Sequence, residues 1–190
     1  MTTFPQDHRK STRILNQKDA PACFAYAVGL CIENEYKRKG IDVKIDVDKF
    51  YRDTTEDGRI PHMIKALQHA KDVGVYDELH HKTIKIKSFK YLPRYSLIGM
   101  DIQKALNKGY FICLSLDLEY GETFRDRTVD GIVQRRMRGK HATVGVDIRN
   151  RDVIFANSYG TSYGIKGYGM IDLNLGGDRK TVEGGYLIEI

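Results

Sequence analysis

Four residues in this chain carry the groups that an acyl transfer needs: Cys23, His141, Asn157 and Gln17. Cys23 follows a polar loop broken by Pro21, and it opens an apolar run in which Phe24, Ala27, Leu30 and Cys31 recur at helical spacing. The spacing predicts a helix from about Cys23 to Lys39, stopped by Gly40. A thiol in or beside a first helical turn meets free backbone N–H groups and the positive end of the dipole. Both favour the thiolate. Gln17, six residues upstream, brings an amide donor that the loop can fold back over the same point, where an oxyanion would form. From this stretch alone, a small buried cysteine on an amphipathic helix is the simpler account. The choice turns on whether a base exists elsewhere.

His141 is the candidate. It opens an alternating stretch, His141–Ile148, followed by the turn Arg149-Asn150-Arg151-Asp152 and a returning strand that ends at Asn157. Side by side at one end of an antiparallel hairpin, the imidazole and the amide can touch. Asn157 would accept the proton of one ring nitrogen and fix the tautomer, so that the other nitrogen faces a thiol. A thiolate–imidazolium pair is self-supporting, because each charge favours the ionised form of the other. A histidine that begins a strand is, taken alone, a surface or capping residue.

The elements that must hold these groups divide the chain in two. Residues 1–15 read as an extended arm with Ile14 and Leu15 to bury. The predicted first helix follows, then an acidic segment (Asp46, Asp48, Asp53, Glu56, Asp57) that reads as a solvated loop, since its spacing fails a calcium loop. A second helix is predicted from Pro61 to Gly74, a half-buried strand at Thr83–Lys87 and a short helix at Asp101–Lys108. From Gly109 the character changes to strands: Tyr110–Leu116, the hairpin just described, Gly167–Leu173 and Gly185–Ile190. The expectation is an α+β chain, with residues 1–109 mostly helical, residues 110–190 an antiparallel sheet and a cleft between them. The arm is free to cross to the other half.

Composition narrows the partners. The longest apolar runs fall far short of a membrane span, and the amino terminus lacks the charged-then-apolar order of a secretory signal. Three cysteines are too few for a disulfide framework, so reduced thiols in a cytoplasm are expected. Neither the cysteines nor the adjacent His80-His81 pair gives zinc spacing, and no metal or other cofactor is expected. The net charge of +6 is spread widely, with no basic stripe interleaved with aromatics, which argues against nucleic acid. The exception is Glu119–Lys140, rich in arginine, which reads as a solvated loop or as a docking patch for an acidic partner.

Three segments together resemble the papain-like cysteine peptidases. Gln17 through Tyr26, with Cys23-Phe24-Ala25-Tyr26 at its end, is similar to the nucleophile segment of that family. His141-Ala142 is similar to the histidine segment. Asn157-Ser158-Tyr159-Gly160 through Tyr168 is similar to the asparagine segment, with tyrosine in place of the usual tryptophan. The resemblance implies a papain-like fold, a helical domain beside a β-barrel-like domain. It implies Cys23 as nucleophile, His141 as base and then acid, Asn157 as orienter and Gln17 as oxyanion donor. It further implies that Gly58 to Pro61 form the edge that pairs with substrate backbone. Ile60, Pro61, Leu114 and Ala142 would line a pocket for an apolar side chain, and Tyr159 would shield the His–Asn pair. The chain departs from the family pattern at Ala20, which replaces a cysteine, at Pro21-Ala22, and at Arg59, which replaces a glycine. Only 22 residues precede Cys23, so no inhibitory prosegment is expected. Such trimming suits a bacterial or viral member.

The function expected from these residues is hydrolysis of peptide bonds in a polypeptide substrate through an acyl-enzyme. The alternatives are an amidase or acyltransferase that keeps the triad but acts on another amide, and a partner-binding protein without catalysis.

Overall fold

The helix expected at Cys23 forms, and almost none of it meets solvent. In a computed structural model describing residues 11–55, 62–93, 100–117, 140–149, 152–172 and 182–190, α1 (Cys23–Arg38) buries every residue from Cys23 to Glu35. An amphipathic helix would keep a polar face; this one is enclosed on all sides. Next come α2 (Val47–Thr54), α3 (Met63–Asp72) and the small hairpin β1 (Val75–Asp77) and β2 (Lys82–Ile84). The rest comprises β3 (Ser88–Pro93), α4 (Met100–Asn107), β4 (Ile112–Asp117), β5 (Lys140–Arg149), β6 (Asp152–Ala156), β7 (Tyr168–Asp172) and β8 (Val182–Glu189).

The segment expected to be a solvated acidic loop is in part α2. Asp46 caps it by accepting from the Lys49 N–H at 2.8 Å, and Val47, Phe50 and Thr54 form its buried face. Asp48 stays exposed on this helix and accepts from the Tyr26 hydroxyl at 2.5 Å. Glu56 and Asp57 lie outside the described residues. Gly29 explains how closely α2 approaches α1: a Cβ there would stand 2.8 Å from Val47 Cγ1.

The larger sheet is antiparallel throughout, in the order β3-β8-β4-β5-β6-β7. Strand alternation splits its side chains between two cores. Cys113, Ala142, Val144, Ile154 and Ala156 face α1 and share a core with α2 and α3. Ile112, Leu114, Leu116, Val153 and Phe155 face the other way, onto Ile102 and Leu106 of α4. The fold is α+β and papain-like, helices against an antiparallel sheet. Packing does not follow chain order, however: β3 and α4, both before residue 110, belong with the sheet, because β3 pairs with β8 and α4 covers the second core.

Residues 11–17 lie between α1 and the loop after β6. Buried carboxylates on α1 hold them there. Glu33, 1% exposed, accepts from Arg13 Nη2 at 2.6 Å, Arg13 Nε at 3.1 Å, Thr12 Oγ1 at 2.9 Å and Ile45 N at 2.8 Å. Glu35 accepts from the Phe111 N–H at 2.7 Å, which ties α1 to the entrance of β4. Removing either acid would leave buried donors without partners. Glu33→Ala is expected to lower the unfolding free energy by about 3–5 kcal/mol, read as a lower urea midpoint at unchanged m-value.

Candidate active site

The loop before α1 is built from short-range hydrogen bonds that fix Gln17 and Cys23. Asn16 Oδ1 accepts from Lys18 N at 3.0 Å, which supports the left-handed backbone at Lys18, φ 53°. Ala20 N donates to Gln17 O at 3.1 Å, and Ala22 N to Ala20 O at 2.8 Å. Ala22 gives the helix no side-chain cap. The first-turn N–H groups are therefore left for the Cys23 sulfur: those of Phe24 and Cys23 itself face it, together with the Ala142 N–H of β5.

A one-residue irregularity in the hairpin decides which face carries Asn157. Near the turn, Arg149 pairs with Asp152 and Ile148 with Val153; the register shifts between Gly145 and Asp147, after which Val144 pairs with Ala156. One further step in the shifted register sets Asn157 across from Thr143, whose side chain shares a face with that of His141. Without the extra residue, Asn157 would lie across from Val144 and point toward α1. The result is a hydrogen bond of 2.9 Å between His141 Nε2 and Asn157 Oδ1. The Ser158 N–H donates to the same Oδ1 at 2.8 Å, so a flipped amide would set its NH2 against two donors. The structure thereby fixes Nε2 as the protonated ring nitrogen and leaves Nδ1 as the basic one.

Tyr159 lies flat on the imidazole, ring centroids 5.2 Å apart and planes 10° from parallel. Its phenol also feels the charge of a Cys23 thiolate. One tyrosine thus neighbours both the imidazole and the sulfur. His141 is 4% exposed and Asn157 fully buried, so water is largely excluded. Burial has opposite effects on the two titrating groups. It pushes the Cys23 thiol up, against the N–H groups of Ala142, Phe24 and Cys23. It pulls the His141 imidazole down to about 4, with the Asn157 bond opposing. Each group by itself prefers its neutral form.

Gln17 is buried beside these residues. Its backbone N–H donates to Ser158 O at 2.8 Å, and Asn16 bridges to Tyr159 as in an antiparallel pair. Ser158 Oγ donates to Gln17 Oε1, and Gln17 Nε2 donates to Ala20 O at 2.7 Å. One N–H of the amide is therefore used within the loop, and the second remains for a ligand. Ser158 was not anticipated from sequence; its place between Asn157 and Tyr159 was the available signal.

The remaining expected residues fall differently. Gly58, Ile60 and Pro61 lie outside the described residues, as does the arginine-rich loop apart from Lys140. Ala142 is buried, with its N–H toward Cys23. Leu114 does not line the cleft. It is 0% exposed and packs in the second core, because alternation on β4 turns it toward α4 and turns Ser115 to the other face. The groove beside the site, 520 Å3 in volume, is lined by Phe24, Met63, Tyr91, Ser115, Tyr186 and Glu183, among others. Glu183 accepts from Ser115 Oγ at 2.8 Å and pairs with Lys140. This groove thus holds a carboxylate.

No protein-family model matches the chain, and no curated protein matches it in sequence. Solved structures match in fold. A cysteine protease of Carica candamarcensis, CMS1MS2, solved in complex with E-64, superposes with a TM-score of 0.72 at 14% identity, over 94% of this chain and 92% of the other. Xylellain, a cysteine protease from Xylella fastidiosa, gives a TM-score of 0.73 at 14% identity over 95% and 83%. A structure from a comparison of the mite allergens Blo t 1 and Der p 1 gives 0.69 at 15% over 94% and 67%. The fold is the one these cysteine proteases share. None of the described helices is long and apolar enough to cross a membrane, and Cys23, Cys31 and Cys113 are all unbridged.

The opposed shifts make a titration informative. With the thiol gone, only the Asn157 bond opposes burial, so His141 in Cys23→Ala should keep a pKa pulled down from the usual imidazole value. An ionised thiol next to it would raise that value, because it favours the imidazolium. Side-chain NMR of His141 should therefore give a higher apparent pKa in the unsubstituted protein than in Cys23→Ala.

Proposed function

We propose that the chain is a cysteine peptidase, with Cys23 as nucleophile, His141 as base and then acid, Asn157 as orienter and Gln17 as oxyanion donor. The observation that carries this reading is the His141 Nε2–Asn157 Oδ1 bond of 2.9 Å under the Tyr159 ring. The N–H of Ala142, the residue after His141, faces the thiol at an uncapped helix start. An imidazole with Nε2 committed to an amide oxygen has one basic position, Nδ1, for the proton of Sγ. Loss of that proton to Nδ1 gives a thiolate that attacks the substrate carbonyl carbon. The carbonyl electrons move to oxygen, where the Cys23 N–H and the remaining Gln17 N–H donate to the oxyanion. Collapse of this intermediate breaks the C–N bond, Nδ1–H protonates the departing amine, and the acyl group stays on sulfur. A water molecule, deprotonated by Nδ1, then attacks the thioester; the acid leaves and Sγ regains its proton. The reduced thiols suit a cytoplasmic setting, and a polypeptide is the substrate.

An epoxysuccinyl probe or iodoacetamide is expected to label Cys23 rapidly at neutral pH, and Cys23→Ala to lose both labelling and peptide turnover. Labelling no faster than a free thiol would sink the reading. Rapid labelling with no cleavage of a peptide library would instead assign the triad to a different amide, and retained biological activity in Cys23→Ala would indicate partner binding.

The groove favours a different side chain from the apolar one that Ile60, Pro61, Leu114 and Ala142 implied. A long cationic side chain could lay its stem on Tyr91 and Tyr186 and bring its charge to Glu183, exchanging with the half-exposed Lys140. Glu183→Gln should lower kcat/KM for peptides with arginine or lysine in this groove roughly tenfold, the loss of one charge-assisted hydrogen bond. Peptides with leucine there should change little. Profiling both proteins on one peptide library measures the difference.

A further inference from the structure

Besides Thr143 Oγ1, two buried polar atoms among the described residues lack a hydrogen-bond partner: Asn157 Nδ2 and the Tyr163 hydroxyl. They belong to one structural unit. The Asn157 N–H donates to Gly167 O at 3.0 Å, and the Gly167 N–H donates to Tyr163 O at 2.7 Å, so both backbones hang on the same residue. Gly167 can serve both because it has φ +93°, and a Cβ there would meet Ile14 Cγ2 at 2.4 Å. The Tyr163 ring lies 6.0 Å from that of Tyr159, which covers His141, and 6.4 Å from Phe155. The two orphan atoms are also neighbours. Burial pushes the Tyr163 phenol up to about 12, and the Asn157 amide is the hydrogen-bonding group that opposes this.

A buried amide N–H without an acceptor is costly, and so is a buried hydroxyl. A hydrogen bond between the two would satisfy both. Building on the peptidase reading, we infer that the Tyr163 hydroxyl accepts from Asn157 Nδ2, which makes Tyr163 a positioning residue for the catalytic imidazole. The Asn157 amide is then held at three points. Its oxygen takes His141 Nε2–H and Ser158 N–H, and its NH2 is anchored from behind by the phenol. Motion of the amide in its plane is restrained, and with it the direction in which His141 presents Nδ1. The imidazolium gains most, because the Nε2–H···Oδ1 bond is stronger when the ring is charged.

Tyr163→Phe keeps the ring and its contacts with Phe155 and Tyr159 and removes only the oxygen. If that oxygen were a tolerated orphan, its removal would be neutral or stabilising and would leave catalysis untouched. As a positioning group, its loss should lower kcat about five- to tenfold, a typical single hydrogen bond, with KM within about twofold. Iodoacetamide alkylation of Cys23 at neutral pH should slow, since a less favoured imidazolium lowers the fraction of the thiolate–imidazolium form relative to the neutral pair. In an Asn157→Ala background the same change should add nothing. Equal kcat and alkylation rates for Tyr163→Phe and the unsubstituted protein would overturn the inference, as would an undiminished loss in the Asn157→Ala background. Solvent exchange of the Asn157 side-chain NH2, read by 15N NMR, provides a measure independent of catalysis. It should be slow and accelerate in Tyr163→Phe; equal rates would also overturn the assignment. Failure of the peptidase reading looks different: there the unsubstituted protein itself alkylates like a free thiol, while the exchange comparison still reports on Tyr163.

Discussion

Enclosure of α1 on every side is the constraint from which the rest follows. A helix with no solvent face must satisfy its polar side chains internally, and Glu33, Asn34 and Glu35 do so with partners far away in sequence. Asn34 accepts from the Thr12 N–H at 2.8 Å, Glu33 collects the Arg13 guanidinium and the Ile45 N–H, and Glu35 takes the Phe111 N–H. Each bond fixes a different segment: the arm, the approach to α2, the start of β4. The helix therefore has two ends with different work. Its C-terminal half clamps the surrounding chain by buried carboxylates and an amide, and its N-terminal turn is left uncapped against β5, where Cys23 stands.

The same enclosure shapes the electrostatics of the site. A buried thiol and a buried imidazole each favour neutrality, and the directions seen here follow from desolvation outweighing nearby donors. Ions form in such a place as a pair, with attraction and hydrogen bonds together offsetting lost hydration. The residues around the pair fit that requirement. Backbone N–H groups face the sulfur, Asn157 Oδ1 holds Nε2, and the Tyr159 ring covers the imidazole.

Much of this was legible in the sequence where periodicity was long or turns were clear. The helix at Cys23 and the hairpin from His141 to Asn157 carry strong local patterns, and both form within a residue or two of expectation. The helix α2 was hidden because its buried face is only Val47, Phe50 and Thr54 among charges. Leu114 was misplaced because strand faces alternate: a displacement of one residue, to Ser115, exchanges the interior for the groove. The bulge near Val146 has no sequence signature beyond Gly145, yet it selects the face on which Asn157 appears. Buried-polar partnerships such as Glu33 with Arg13 span 20 residues and more and leave no local trace.

The segment after β6 shows why the candidate site is a single assembly rather than four separate residues. Asn157 holds the imidazole; Ser158 gives its N–H to Asn157 Oδ1, its hydroxyl to Gln17 Oε1 and its carbonyl to the Gln17 N–H. Tyr159 pairs with Asn16 and stacks on His141, and the Gly160 N–H donates to Leu15 O at 2.8 Å. Three consecutive residues thus link the Asn157 amide, the Gln17 amide and the ring that covers the imidazole to one another. Through Leu15 and Asn16 they also reach the arm, and through Arg13 the arm reaches Glu33, near the far end of α1. A carboxylate on α1 accordingly helps to hold Gln17 against Ser158, because the segment that carries Gln17 is pinned at both ends. Docking of the arm and placement of the Gln17 amide are, on this connectivity, one event.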